Sequence, residues 1–475
     1  MKTSFTREWF KGKRITVFGI GLNRGALATI RFLVESGVKE VIATDIKTKE
    51  DLAPTLKELA SYKNITYILG QHRSEDFTHV DMVVKNPIIP WTNEYIKLAV
   101  DHGIPVEMDA SLFICLVNQP MIGITGTKGK TTTSSLIAHI LEQAGKKTVR
   151  AGISQIGFLD TIEAATESST IVAELSSWRL SSFAAHAYSP AVAVVTNIYP
   201  DHLNYYKQMS AYIADKQNIV RFQKKTDVAV LNYDNEVTRA FATETKGKII
   251  WFSEQEFFQG DGVFVRQEVV YERRGDIEEA LFDWPKMHLF GEHNRSNILA
   301  AIAVARFQAV SEKTIAKALE SFAGVPHRLE FVGEKNDVQF YNDTAATMPE
   351  ASIAGIRAFT KPVVLIAGGA DKAFDYESLA KVFVTETKSV ILFRGAATEK
   401  LLPLMEKRAN ESGKSGVIFP VVTTMEDALQ IAMDEAEPGN IVLLSPGAAS
   451  FGLFQNEFDR GDQFRQGVQR LLARP

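Results

Sequence analysis

The sequence predicts an α/β protein of three domains in series, each built on a mostly parallel sheet. Three observations carry that expectation. Short apolar runs recur along the chain and end in Gly or Asp. Stretches with helical spacing lie between most of them. The alternation begins afresh near residues 115 and 325. Short buried strands alternating with helices make a parallel sheet covered on both faces. Ligands of such sheets sit at the carboxyl ends of the strands.

The elements follow in order. KRITVFGIG (13–21) reads as a strand ending in glycines, GALATIRFLVESG (25–37) as a helix with a Gly stop, and KEVIATD (39–45) as a second strand. DMVVKNP (81–87) continues the pattern, which places a first domain at 1–114. QPMIGITG (119–126) opens a second set, and TTTSSLIAHILEQAG (131–145) is its first helix. STIVAEL (169–175), AVAVVTNI (191–198) and DVAVLNYD (227–234) follow as strands, and HNRSNILAAIAVARF (293–307) as a late helix. That domain is expected over 115–324. In the third, 325–475, PVVLIAGGAD (362–371), SVILFRG (389–395) and NIVLLSPG (440–447) are buried strands.

Composition narrows the function classes. The 475 residues carry 53 Lys+Arg against 57 Asp+Glu, a net charge of −4. That balance argues against nucleic acid as partner and leaves anionic small molecules open through local basic sites. Cys115 is the single cysteine, so neither a disulfide framework nor a thiolate zinc site is expected. MKTSFTREWF at the start is mixed and charged, unlike a signal peptide. No apolar run has the length of a membrane span. A cytoplasmic setting, away from membranes, is the expectation.

The chemistry begins at GITGTKGKTTT (123–133), where Gly126, Thr127, Lys128, Gly129, Lys130, Thr131 and Thr132 join a strand to a helix. Glycines let backbone N–H groups approach phosphate oxygens, and the helix N-terminus adds positive potential. Lys130 can reach phosphates and the Thr131 hydroxyl can ligate Mg²⁺. The full Walker pattern wants Gly where Ile124 stands, so the loop is a shortened form. Glu174, at a strand end, reads as a metal ligand or as a helix-capping acid before Ser176 and Ser177. Asp201 and His202 read as metal or phosphate ligands, or as a turn Asp and a surface His. Lys216, by spacing, reads as a solvated helix lysine.

Together these pieces resemble the Mur ligase family of ATP-dependent amide-forming enzymes. GITGTKGKTTT is similar to that family's ATP loop, ELSSWRL (174–180) to its acidic strand end, and NIYPDHLNYY (197–206) to its Asn-x-x-x-Asp-His segment. GEHNRSNILAA (291–301) and GVPHRLEFV (325–333) resemble two further motifs, the second opening the third domain. YNDTAATMPEA (341–351), GGADKAFDY (368–376) and LLSPGAASFGLFQNEFDRGDQF (443–464) resemble the branch that adds glutamate to UDP-N-acetylmuramoyl-L-alanine. The N-terminal GIGLNRG (19–25) suits that branch's UDP-binding domain.

The resemblance implies a Rossmann-like UDP-binding domain, a central P-loop ATPase-like domain and a C-terminal Rossmann-like domain. It implies ATP and Mg²⁺, an acyl-phosphate intermediate and, by family habit, a monomer. Lys130 and Thr131 would hold the γ-phosphate and a first Mg²⁺, with Glu174 as a further ligand and His202 at a second metal. Lys216 falls where the family carries a lysine carbamylated by CO₂. Asn297 matches an adenine-contacting position, with Asn294 on the same helix face. Arg328 would reach phosphate and Asp343 ribose. For His293 and His327, capping or core hydrogen bonds stand beside ligand contact. Thr347, Lys372 and Ser450 match positions that hold the incoming glutamate.

Several residues depart from the pattern. Ala345 stands where the branch carries a lysine, Trp178 and Arg179 replace Phe-Gln, Gln155 replaces Asn, and Phe458 sits one place late. Arg179 could restore the lost cation. The departures cluster at the amino-acid and muramoyl sites, so ATP use is better supported than the amino acid. D-glutamate is the expected substrate. An L-glutamate-adding ligase and a folylpolyglutamate-synthase-like ligase are the alternatives.

Overall fold

The computed structural model describes residues 5–21, 24–153, 156–284, 293–372, 374–413 and 419–473. The first sheet holds β1 (Arg14–Phe18), β2 (Glu40–Asp45), β3 (Ile65–Leu69), β4 (Met82–Lys85) and β5 (Val106–Glu107). Its order is β3-β2-β1-β4-β5, parallel throughout. β1 and β4 are almost wholly buried because helices cover both faces.

The second sheet contains β6 (Met121–Thr125), β7 (Thr148–Ala151), β8 (Thr170–Glu174), β9 (Val192–Val195) and β10 (Val228–Asn232). It continues through β11 (Lys248–Ser253), β12 (Asp261–Arg266), β13 (Val269–Arg274) and β14 (Ile277–Asp283). The order is β14-β13-β12-β11-β10-β9-β6-β8-β7. Pairing is parallel from β7 to β12 and antiparallel from β12 to β14. The antiparallel edge is absent from the sequence reading. Its outermost strand, IEEALFD, exposes four of its first residues in a row and shows no apolar run. One apolar core joins the first two sheets, from Phe10 and Ile15 through Phe113 and Phe158 to Leu180 and Val195.

The third sheet comprises β15 (Glu330–Lys335), β16 (Val338–Asn342), β17 (Val363–Gly368), β18 (Ser389–Phe393), β19 (Val421–Val422) and β20 (Ile441–Leu444). Its order is β15-β16-β20-β17-β18-β19, parallel except for the β15–β16 hairpin. Separate cores cover its two faces, around Leu365 and Leu379 on one side and Ile366 and Phe464 on the other. The chain forms two compact units: the first two sheets, through Leu319, and the third sheet, from Glu320 onward. Among the described residues no helix is long and apolar enough to cross a membrane.

Candidate active site

The loop after β6 is held by two glycines that no other residue could replace without strain. Gly126 has φ +154° and Gly129 φ +83°. A Cβ on Gly126 would lie 1.9 Å from Thr196 Oγ1, and one on Gly129 2.0 Å from Asn297 Oδ1. Gly129 ends the loop at the N-terminus of the helix Lys130–Gln143. The first intrahelical bond runs from Thr133 N–H to Gly129 O. The N–H groups of Lys130, Thr131 and Thr132 therefore precede the helix ladder and face the loop's mouth, the arrangement that binds phosphate.

Inside the loop, Lys130 Nζ donates to Gly126 O (3.2 Å) and Thr127 O (3.1 Å). Thr131 Oγ1 donates to Glu174 Oε2 at 2.8 Å. Glu174 thus faces the loop and does not cap the next helix. Ser176 does that, accepting from Arg179 N–H. Thr127 points inward: its hydroxyl donates to Tyr199 O (3.1 Å) and accepts from Tyr199 N–H (2.9 Å). Lys128 carries an exposed side chain, and its N–H donates to Asn197 Oδ1 (2.9 Å).

Lys216, on the helix Met209–Arg221, is 1% exposed and not solvated. Its Nζ donates to Gly126 O (2.8 Å) and Thr125 Oγ1 (3.3 Å) directly beneath the loop. Burial, reinforced by Lys130, drives its pKa well below the ordinary lysine value, against Asp201, Glu174 and Asp215. His202 has φ +54° and lies beside Asp201, with Nδ1 3.7 Å from Oδ1. The Trp178 ring stands 4.6 Å from the imidazole. Glu174 and Thr131 offer hard oxygen donors side by side, the chemistry that suits Mg²⁺. Among the described residues no cluster of three or more His, Cys, Asp or Glu forms a metal cage of protein side chains alone.

On the helix His293–Phe307, Asn294 and Asn297 are buried. Asn297 donates to Asn294 Oδ1 (2.9 Å) and accepts from Thr133 Oγ1 (3.3 Å), so its amide braces the helix that follows the glycine loop. The His293 side chain, Gln155 and residues 22–23 of GIGLNRG lie outside the described residues.

A cleft of about 840 Å³ runs along the carboxyl ends of the first sheet to Trp178 and Arg179. Gly19, Gly21, Asp45 and Lys85 line it, and Asp45 accepts from Gly21 N–H (2.9 Å). Arg179, the residue that could restore a cation, lines this cleft. It is bound bidentately to Asp109, at 3.2 and 2.7 Å.

In the third sheet, Asp343 follows β16 and is buried. Its carboxylate accepts from Ser445 Oγ (2.8 Å) and Leu329 N–H (3.2 Å). Burial raises its pKa to about 7 despite these donors. Arg328 and Lys372 are exposed, and Thr347 is half-buried. Ser450 is 3% exposed, and its hydroxyl has no hydrogen-bond partner among the described residues. A buried hydroxyl without a partner is costly, and a ligand's oxygen would satisfy it. His327 Nδ1 meets Asn342 Nδ2 (3.2 Å), the core hydrogen bond rather than an exposed ligand position.

Four functional candidates escaped the sequence reading. Asn197 and Tyr212 hold the loop from behind, the latter 3.1 Å from Thr127 Oγ1. Asp109 anchors Arg179, and Arg460, fully buried, donates to Thr344 Oγ1 (3.0 Å) and Ala448 O (3.3 Å). Of these, Asn197 and Arg460 carried a signal, the first as the Asn of the Asn-x-x-x-Asp-His segment and the second within the 443–464 segment.

Three family models match the chain: Mur ligase MurD-like N-terminal domain over 13–107, Mur ligase middle domain over 124–305, and Mur ligase glutamate ligase domain over 327–447. A UDP-N-acetylmuramoylalanine–D-glutamate ligase of Roseiflexus is 38% identical over 96% of this chain and 98% of its own. The proteins of the same name from Borreliella afzelii and Clostridium perfringens are 35% and 34% identical, covering 97% and 99% of this chain and 98% and 100% of theirs. Among solved structures, the UDP-N-acetylmuramate-alanine ligase of Thermotoga maritima aligns with TM-score 0.56 at 20% identity, over 97% of this chain and 99% of that one. At that identity the likeness concerns the fold.

Proposed function

Because the chain belongs to the Mur ligase family, we propose that it joins D-glutamate to UDP-N-acetylmuramoyl-L-alanine with ATP, through an acyl phosphate. ATP phosphorylates the alanyl carboxylate, the glutamate amine attacks the acyl carbon, and phosphate leaves as the amide forms. The observation that carries this reading is the Thr131–Glu174 hydrogen bond at the mouth of the glycine loop, with Lys216 buried directly behind it. Two anions must meet there, and fixed cations and N–H dipoles lower the cost.

In this reading the loop from Gly126 to Thr132 cradles ATP phosphates, and Lys130 turns from its loop carbonyls to the γ-phosphate. Thr131, Glu174 and His202 would hold Mg²⁺, which supplies charge neutralisation when bound. Lys216, whose burial favours the uncharged amine, takes up CO₂: the nitrogen bonds carbon, a proton leaves, and the carbamate would supply an anionic oxygen for Mg²⁺. Asn294 and Asn297 support the loop on the adenine side, while Arg328 would bind phosphate and Asp343 ribose. Thr347, Lys372 and Ser450 receive the glutamate carboxylates. We place the domains at 1–114, 115–324 and 325–475, and the protein in the cytoplasm as a monomer.

The test is ADP release by the purified chain with ATP, Mg²⁺ and UDP-N-acetylmuramoyl-L-alanine. Turnover with D-glutamate and none with L-glutamate is expected. Turnover with L-glutamate alone would move the chain to the L-glutamate branch, and none with either, in folded protein, would end the ligase reading.

A further inference from the structure

We propose that Lys85 is the cation that receives the diphosphate of the nucleotide-linked substrate. The proposal rests on the substrate reading above and concerns a residue to which neither the motifs nor the matched families give a role.

Topology sets the position. In the order β3-β2-β1-β4-β5 the chain leaves β3 and returns on the far side of β1, so β1 and β4 flank the switch point. Crevices at switch points, beyond the strands' carboxyl ends, receive ligands in such sheets. Lys85 is the last residue of β4 and pairs with Phe18, the last of β1. The turn after β1 closes the crevice floor. Gly19 has φ +85°, and a Cβ there would lie 2.9 Å from both Asn86 Cβ and Ile89 Cδ1.

Charge supplies the second argument. The Lys85 side chain lines the cleft, yet the residue is only 1% exposed. Its Nζ donates to Ile89 O (2.8 Å) and stands 4.6 Å over the Trp91 ring. A lysine ammonium has three donors, and a buried cation requires a counter-charge. The charged groups that act on it are Asp109, on the helix Asp109–Leu116, and Asp215, on Met209–Arg221. Asp109 is already engaged with Arg179, the cation beside it, and burial raises the Asp215 pKa to about 6. Burial accordingly lowers the Lys85 pKa to about 7. A diphosphate supplies the missing negative charge and draws a proton onto the amine as it binds.

Calorimetric titration of the full chain, at about pH 8 in buffers of different ionisation enthalpy, counts that proton. The ligands are UDP-N-acetylmuramoyl-L-alanine and UDP-N-acetylglucosamine, which keeps the diphosphate and lacks the carboxylate. The diphosphate of both ligands is esterified at each end and carries no group that titrates near this pH. Net uptake of close to one proton with both ligands is expected. Lys85→Met should abolish the uptake and raise the KM for the muramoyl substrate about tenfold or more, with the KM for ATP unchanged. Binding to wild type without proton uptake, or uptake with the muramoyl ligand alone, overturns the diphosphate assignment and leaves the substrate reading intact. Failure of wild type to bind the muramoyl substrate overturns both. If Lys85→Met does not fold, the wild-type proton counts decide.

Discussion

In the central sheet Lys130, Thr131 and Lys216 are bound in and around the glycine loop, whereas the candidates of the third sheet lie open or bonded within their own sheet. Lys130 and Lys216 share the Gly126 carbonyl, and Thr131 holds Glu174. In the third sheet Lys372 is exposed, and the Ser450 hydroxyl is buried without a partner among the described residues. Asp343 there is bonded, but to Ser445 and Leu329 of its own sheet's surroundings. The difference teaches where rigidity is needed. Phosphoryl transfer gains from cations and dipoles fixed in advance. A site that receives a small dianion keeps donors open for it.

The largest expected effect tests the fixed side. Lys216→Ala should lower kcat by about 10²–10³-fold, and short carboxylic acids such as acetate should restore part of it. Full activity with no rescue would remove the lysine from the pre-organised set. Loss without rescue, in a variant that unfolds like wild type, would leave it a packing lysine and break the comparison there.

That contrast also governs what was legible in advance. The glycine loop could be read because its glycines recur at 123, 126 and 129 and its helix follows at once. β6, β8, β9 and β10 were readable because each is a short buried apolar run. The β12–β14 edge was not, since one face meets solvent and charged residues such as Glu272 and Glu278 interrupt it. Burial of Lys216 was equally hidden, because its helix has mixed polarity and the spacing suits a solvated face. Asp109 and Arg179 lie far apart in the chain, and a bidentate pair between them has no local signature. The same holds for Lys85, whose importance depends on strand order.

A smaller effect probes the open side. Lys372→Ala should raise the KM for glutamate about ten- to a hundredfold, the worth of one charged hydrogen bond, with the KM for ATP unchanged. Steady-state kinetics at varied glutamate measures it. A fall in kcat at unchanged KM would mean that Lys372 acts on the phosphoryl side and that the two sites are not separate in kind.

The smallest effect sharpens the comparison with a buried cation that already has its counter-charge. His186 lies away from the loop, with Nδ1 3.5 Å from Cys115 Sγ and Nε2 3.0 Å from Glu107 Oε2. Those two hydrogen bonds, Cys115 first, outweigh burial and raise its pKa to about 10, whereas Lys85 and Lys216 are lowered. A folded pKa above the unfolded value near 6.5 stabilises the fold fully below that pH, and the contribution is lost as pH rises through about 10. His186→Gln should therefore destabilise the first unit by about 1–3 kcal/mol at acid to neutral pH, with the gap closing toward pH 10. All five tryptophans, Trp9, Trp91, Trp178, Trp251 and Trp284, precede Leu319, so their fluorescence in urea follows that unit. A gap that holds constant up to pH 10 would mean that His186 stabilises by packing alone and that its charge contributes nothing to the fold.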